Sequence, residues 1–352
     1  MATATGIHHR SYRAELALRH THAEYARLGL MIVALIGAPY VLDKYWLGIV
    51  NTILIAVIGA VGLNILVGFT GQISLGQGGF LAVGAYTSAI LHERAGLPVV
   101  VSVLIAVLTT AGIGAFFGLP ALRLKGLYLA IATLASQEII IFVVRRWSWL
   151  SEGKGFIDVS RLELFGWEVK RATFEFQWYW VLLVLAVVAV LTARNLFRTG
   201  LGRSFMAVRD HDIAAEAIGV NLTRAKVTAF AVSSGFVGLA GALTANYTET
   251  VTWERFTLDV SVLYLAMIIV GGLGSIAGAV YGATFMMLLP ALLTEVSDAV
   301  KGQLPFLADQ LPAIKNAVFG LVIVLFLIIE PRGLARIWQR TKDYVRFWPF
   351  RY

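Results

Sequence analysis

Uninterrupted apolar runs constrain this chain more than any other feature. Residues 46–69, 97–119, 178–193, 226–245, 258–273 and 311–329 each approach or exceed the reach of a helix across lipid, which is about 20 apolar residues. Inside a bilayer every backbone N–H and C=O needs a partner from the protein, so such runs can only be helices. Composition agrees. Of 352 residues 58% are hydrophobic and 14% charged, where a soluble domain carries about 25% charged, and mean hydropathy is +0.77. A membrane β-barrel would instead show short segments of alternating polarity. The expected fold class is an all-α polytopic membrane protein of about ten transmembrane helices. They are placed at 27–42, 46–69, 78–94, 97–119, 127–145, 178–195, 226–247, 258–274, 278–294 and 311–330.

Basic residues orient these spans, because cytoplasmic loops carry the excess of Lys and Arg. With the N-terminus inside, most of the 29 basic residues fall on the inner side: Arg10, Arg13, Arg19 and Arg27 at the start, then Arg123 and Lys125, a cluster from Arg194 to Lys226, and Arg332 to Arg351. The dense exception is 145–171. This gives a cytoplasmic tail at 1–26, a membrane domain at 27–330 with an outer loop at 146–177 and a polar inner segment at 194–226, and a cytoplasmic tail at 331–352. The basic start precedes a short apolar run but no small-x-small cleavage pattern, so it reads as an uncleaved first helix. Its four histidines have no acidic or thiol framework, and the whole chain has no cysteine. The net charge of +8 suits anionic lipid head groups rather than nucleic acid.

The stretch GFTGQISLGQGGFLAVGAY at 68–86 breaks the pattern with clustered glycines. A P-loop is excluded, since that motif requires a Lys that is absent. Two readings remain: small residues packing helices closely, or a broken helix lining a solute path. On the second, Gly71, Gln72, Ser74, Gln77 and Gly78 are the candidate pathway residues, and 70–77 is a tight turn at the cytoplasmic side. A second cluster, GGLGSIAGAVYG at 271–282, also joins two apolar runs and is read as packing. Glu138 stands in the apolar run LASQEIIIFVV, and a mid-span carboxylate is a functional suspect by default. Facing a wet cavity, meeting a substrate ammonium and pairing with a neighbouring chain all remain open. Asn64, Tyr86 and Asn246 are expected to hydrogen-bond between helices. In 194–226, Asp210 or Asp212 caps a short helix through 218, ended by Gly219, with Asp212 and Glu216 on one face. Either a docking handle or an ordinary solvated loop fits that pattern.

GFTGQISLGQGGFLAVGAY resembles the signature of LivM-type permease subunits of branched-chain amino acid ABC importers. So do RLKGLYLAIATLASQEI at 123–139, GRSFMAVRDHDIAAEAIGVNLTRAKVTAF at 202–230, GGLGSIAGAVYGA at 271–283 and EPRGL at 330–334, in family order. LSEGKGF at 150–156 departs from the glycine-rich pattern usual there. The resemblance implies a non-catalytic subunit supplying half of a translocation path by alternating access. Its expected partners are a paralogous permease, two cytoplasmic ATPases and an extracytoplasmic solute-binding protein, in a bacterial inner membrane. Arg209, Asp212, Ala215, Glu216 and Gly219 are the expected ATPase-docking residues. No cofactor is expected on this chain, with ATP and Mg bound by the ATPases. A urea or short-chain amide permease is the nearest alternative, and a self-contained secondary transporter the more distant one.

Overall fold

The computed structural model describes residues 22–147, 156–160, 163–164, 167–168, 173–303, 311–330 and 333–347. The N-terminal histidine cluster up to 20, most of LSEGKGF and part of EPRGL lie outside them. In chain order the helices are α1 His22–Val41, α2 Lys44–Thr70, α3 Gln77–Glu93, α4 Val99–Gly118, α5 Leu127–Arg146, α6 Phe174–Leu196, α7 Gly200–Asp210, α8 Asp212–Ala217, α9 Leu222–Thr248, α10 Leu258–Gly271, α11 Ile276–Gln303, α12 Leu311–Ile329 and α13 Leu334–Phe347. Each of the ten apolar runs is helical. Among the described residues, six helices are long and apolar enough to cross a membrane: α2, α4, α5, α6, α9 and the first part of α11.

α2 is apolar on every side and buried from Ile53 to Thr70, which makes it the central post of the bundle. α9 packs against it and against α3 and α4. The approach is close because the contacts are glycines: Gly84 of α3 meets the backbone of Gly238, and Gly241 meets that of Leu81. Between α9 and α2, Ser233 donates to the Gly62 carbonyl at 2.7 Å. Asn246 donates to Ser88 at 3.0 Å, an interhelical bond as expected, but the buried Tyr86 hydroxyl finds no partner among the described residues. Outward faces of α4 and α6 expose Leu104, Leu108, Phe116, Val184 and Val188, as lipid contact requires.

Among the described residues four short strands, unforeseen from the apolar runs, accompany the helices. β1 Phe156–Asp158 pairs antiparallel with β4 Thr250–Thr252, and β2 Glu163–Leu164 with β3 Trp167–Glu168. β4 follows the end of α9, where Tyr247 donates to Glu175 at the head of α6 and Asn51 of α2 donates to the same carboxylate. This end of the bundle is opposite to the end where α2 stops at Thr70.

Candidate functional site

The glycine break is not the surface turn that its length implies. α2 ends at Gly71, whose φ of 72° lies in the left-handed region and whose N–H returns to the Leu66 carbonyl. Residues 71–76 then run back into the bundle with neither helix nor strand, Gln72, Ser74 and Gly76 buried and Gly71 and Ile73 exposed. α3 begins deep: Gln77 Nε2 donates to the Gly59 carbonyl at 3.1 Å. Gly59 precedes Thr70 by about three turns of α2, roughly 16 Å, a distance that six extended residues, reaching roughly 20 Å, can retrace.

Side chains from α5 and α10 satisfy this re-entrant backbone. Leu75 N–H donates to Thr133 Oγ1 at 2.9 Å, and Gly76 N–H to Ser74 Oγ at 3.3 Å. Gly78 N–H donates to Ser261 Oγ at 2.7 Å, and that hydroxyl donates to Gln137 Oε1 at 2.6 Å. A Cβ on Gly76 would sit 2.8 Å from the Thr133 carbonyl, and one on Gly78 would sit 2.9 Å from that of Phe256. Both amide atoms of buried Gln72, and Nε2 of Gln137, have no partner among the described residues. A buried amide left unpaired costs about 1–3 kcal/mol per group, so the segment is not optimised for this conformation alone.

Gln72, Ser74 and Gln77 are all buried here, and Gln72 borders a cavity of about 280 Å³ with Gly71, Lys125, Arg209 and Asp212. Two expectations need correcting. Glu138 is not buried. The inward stripe of α5 is Leu129, Ala130, Thr133, Ser136, Gln137, Ile140 and Val144. One residue beyond Gln137 the helix has turned about 100°, which puts Glu138 on the outward face with Ile131, Ala135 and Phe142. It forms no hydrogen bond or ion pair among the described residues, yet it lies at the depth of Gln137. The second correction concerns the polar inner segment, which holds two helices rather than one. α7 is capped by Thr199, which accepts from Gly202 N–H at 3.4 Å. Neither Asp210 nor Asp212 caps α8; His211 occupies that position.

The five docking candidates divide. Arg209 faces its own chain: Nη1 donates to the Gly68 carbonyl at 2.7 Å, its side chain lies against Gly71, and the guanidinium also abuts Gly274. Asp212 pairs with Lys125, and the Lys125 hydrogen bond is the first cause holding its carboxyl below the usual value. Ala215 is buried, whereas Glu216 is exposed, and Gly219 ends α8 at positive φ. The outward apolar residues of α8 are Ile213 and Ile218, both largely exposed. The sequence reading passed over them, although two isoleucines flanking a polar helix were a visible signal. Thr133, Gln137 and Ser261 were passed over too, though Thr133 and Gln137 stand one turn apart as polar residues in an apolar helix.

The second glycine cluster is a tight hairpin. Gly271 meets Gly278, and Gly282 meets the Met267 carbonyl, so α10 and α11 touch backbone to backbone. Asn64 of α2 clamps the hairpin, donating to the Ser275 carbonyl at 2.7 Å and accepting from Gly274 N–H at 3.0 Å.

Crossing helices, a re-entrant broken segment held by polar side chains, and a helical pair anchored on the break together define a polytopic α-helical membrane protein. The chain belongs to the family of permease components of branched-chain amino acid transport systems, whose model matches residues 45–327. It is 31% identical to the high-affinity branched-chain amino acid transport system permease protein LivM of Salmonella typhimurium, over 87% of this chain and 73% of the relative. It is 32% identical to LivM of Escherichia coli, over 86% and 73%. A probable branched-chain amino acid transport permease protein LivH of Methanocaldococcus jannaschii is 25% identical over 80% of this chain and 89% of its own length. No solved structure matches the chain.

Proposed function

We propose that the chain is the permease of an ATP-driven importer for branched-chain or related amino acids, forming half of the path in a bacterial inner membrane. All ten apolar helices take part in the membrane domain, both termini are cytoplasmic, and the subunit binds no cofactor of its own. Two cytoplasmic ATPases bind ATP and Mg, and an extracytoplasmic protein delivers the solute. The likeness to both LivM and LivH supports a related rather than identical second permease.

One observation carries the reading: the outward, unpaired Glu138 at mid-span, beside the broken helix. A carboxylate facing lipid at that depth is expensive, so this face of α5 meets the second permease and the wet path between the two. Arg209 supplies the coupling. It joins α7 to the carbonyl of Gly68, three residues before the break, so a push on α7 and α8 reaches 71–76 through one guanidinium. Exposed Ile213, Glu216 and Ile218 form the contact for the ATPase.

Reconstitution tests this. Proteoliposomes holding both permeases, both ATPases and the binding protein should take up leucine only with ATP. Uptake without ATP or without the ATPases would overturn the reading, and uptake of urea or amides instead of leucine would reassign the solute.

A further inference from the structure

A cleft of about 340 Å³ opens between the half of α5 remote from Gly71 and the segment that leads into α10. Glu138, Phe142 and Arg145 line one wall; Trp253, Phe256 and Leu258 line the other. The Arg145 guanidinium lies 5.5 Å from the centroid of the Trp253 ring, a cation–π contact that fixes it against that wall. Glu138 stands two turns away on the same helix face, roughly 10 Å along the axis. No ion pair joins the two within the chain. A carboxylate at one end of an apolar cleft and a guanidinium at the other are the complement of one small-molecule class, the α-amino acid zwitterion.

We propose that this cleft is a selectivity site carried by the permease itself, resting on the reading that this face of α5 borders the path. Glu138 takes the ammonium. Arg145 takes the carboxylate with its fork. Phe142, Phe256 and Leu258 hold an apolar side chain. The site screens solutes after their release by the binding protein, because a molecule lacking either charge leaves one protein charge unpaired as water is excluded.

The chain has no cysteine, so a Thr257→Cys variant in the assembled complex, at a cleft position given no part in holding the solute, gives a clean reporter. A charged thiosulfonate reagent should label it, and saturating leucine should slow labelling about tenfold. Leucinamide, which lacks the carboxylate, and isocaproate, which lacks the ammonium, should not protect. Adding Glu138→Gln or Arg145→Gln should remove the protection by leucine. If Thr257→Cys does not assemble, Ile141→Cys on the opposite wall serves instead. Labelling that leucine does not slow would sink the site and leave the path reading intact. No labelling in any state, while an exposed Leu273→Cys control reacts, would mean the face is sealed by the second permease and would overturn both.

Discussion

Two glycine clusters of similar composition, at 71–79 and 271–282, fold into opposite things. Both leave a helix through a glycine at positive φ, Gly71 at 72° and Gly272 at 119°, and Gly274 at 73° lies within the second turn. After Gly274 the chain reverses at once, and α10 and α11 pack with carbonyls against glycines. From Gly71 it runs through 76 without regular structure and restarts as α3, whose Gln77 side chain reaches Gly59, some three turns back along α2. The difference lies in what flanks the glycines. The second cluster offers glycine and alanine to a neighbouring backbone, and Ser275 and Tyr281 are its polar side chains. The first spaces Gln72, Ser74 and Gln77 at every second or third position; Ser74 and Gln77 hold the segment by hydrogen bonds, while Gln72 has no partner among the described residues. One cluster is a weld. The other is a polar segment with unpaired amides, touched by a lever from α7.

The largest expected contrast follows from steric closeness. Gly282→Val drives two methyls into the Met267 carbonyl, an overpacking cost of roughly 3 kcal/mol or more in a rigid hairpin. The variant should fail to accumulate, measured by immunoblot of membranes. Gly76→Ala sets a Cβ 2.8 Å from the Thr133 carbonyl, at a cost of about 1–2 kcal/mol. It should assemble normally and lose most uptake. Equal accumulation of the two variants would erase the distinction between weld and moving part.

Arg209→Gln comes next. It removes a charge-assisted hydrogen bond, worth about 1.5–3 kcal/mol, from a side chain that touches both clusters. The variant should still recruit ATPase in a pull-down and hydrolyse ATP, while uptake per ATP falls. Unchanged coupling would leave Arg209 as a packing residue.

The smallest effect concerns Asp212 and Lys125. A carboxyl held below its ordinary value stabilises the fold above that value, and the contribution disappears as pH falls through the folded-state pKa. Lys125 is well exposed, so the pair is worth no more than about 1 kcal/mol. Lys125→Met should lower the melting temperature slightly and constantly from neutral to mildly acidic pH, with the difference from wild type closing only below the ordinary Asp value of 3.8. A difference that instead grew towards acid would mean Asp212 has another partner.

Much of this was legible beforehand. Every long apolar run is a helix, because lipid leaves the backbone no alternative. The site of the break could be read from the glycines, but not its direction. That depends on Gly59, Thr133 and Ser261, distant in sequence, being brought to the ends of Gln77, Leu75 and Gly78. Glu138 was conspicuous as a carboxylate in an apolar run, yet its outward aim required knowing which stripe of α5 is buried. α7 was missed because Gly200 and Gly202 are poor helix formers, overridden by the Thr199 cap and by burial of Phe205 and Val208.

The central claim is that the first cluster moves between states of the complex and the second does not. Ser74→Cys is nearly isosteric and buried here, and Leu273→Cys reports from the exposed tip of the hairpin. Labelling rates with a small polar thiol reagent are to be compared in the assembled complex with and without trapped ATP. The account predicts that Ser74→Cys reacts in one state and is protected in the other, while Leu273→Cys reacts at the same rate in both. A Ser74→Cys that stays inert in every state, or a Leu273→Cys whose rate changes as much, would contradict it.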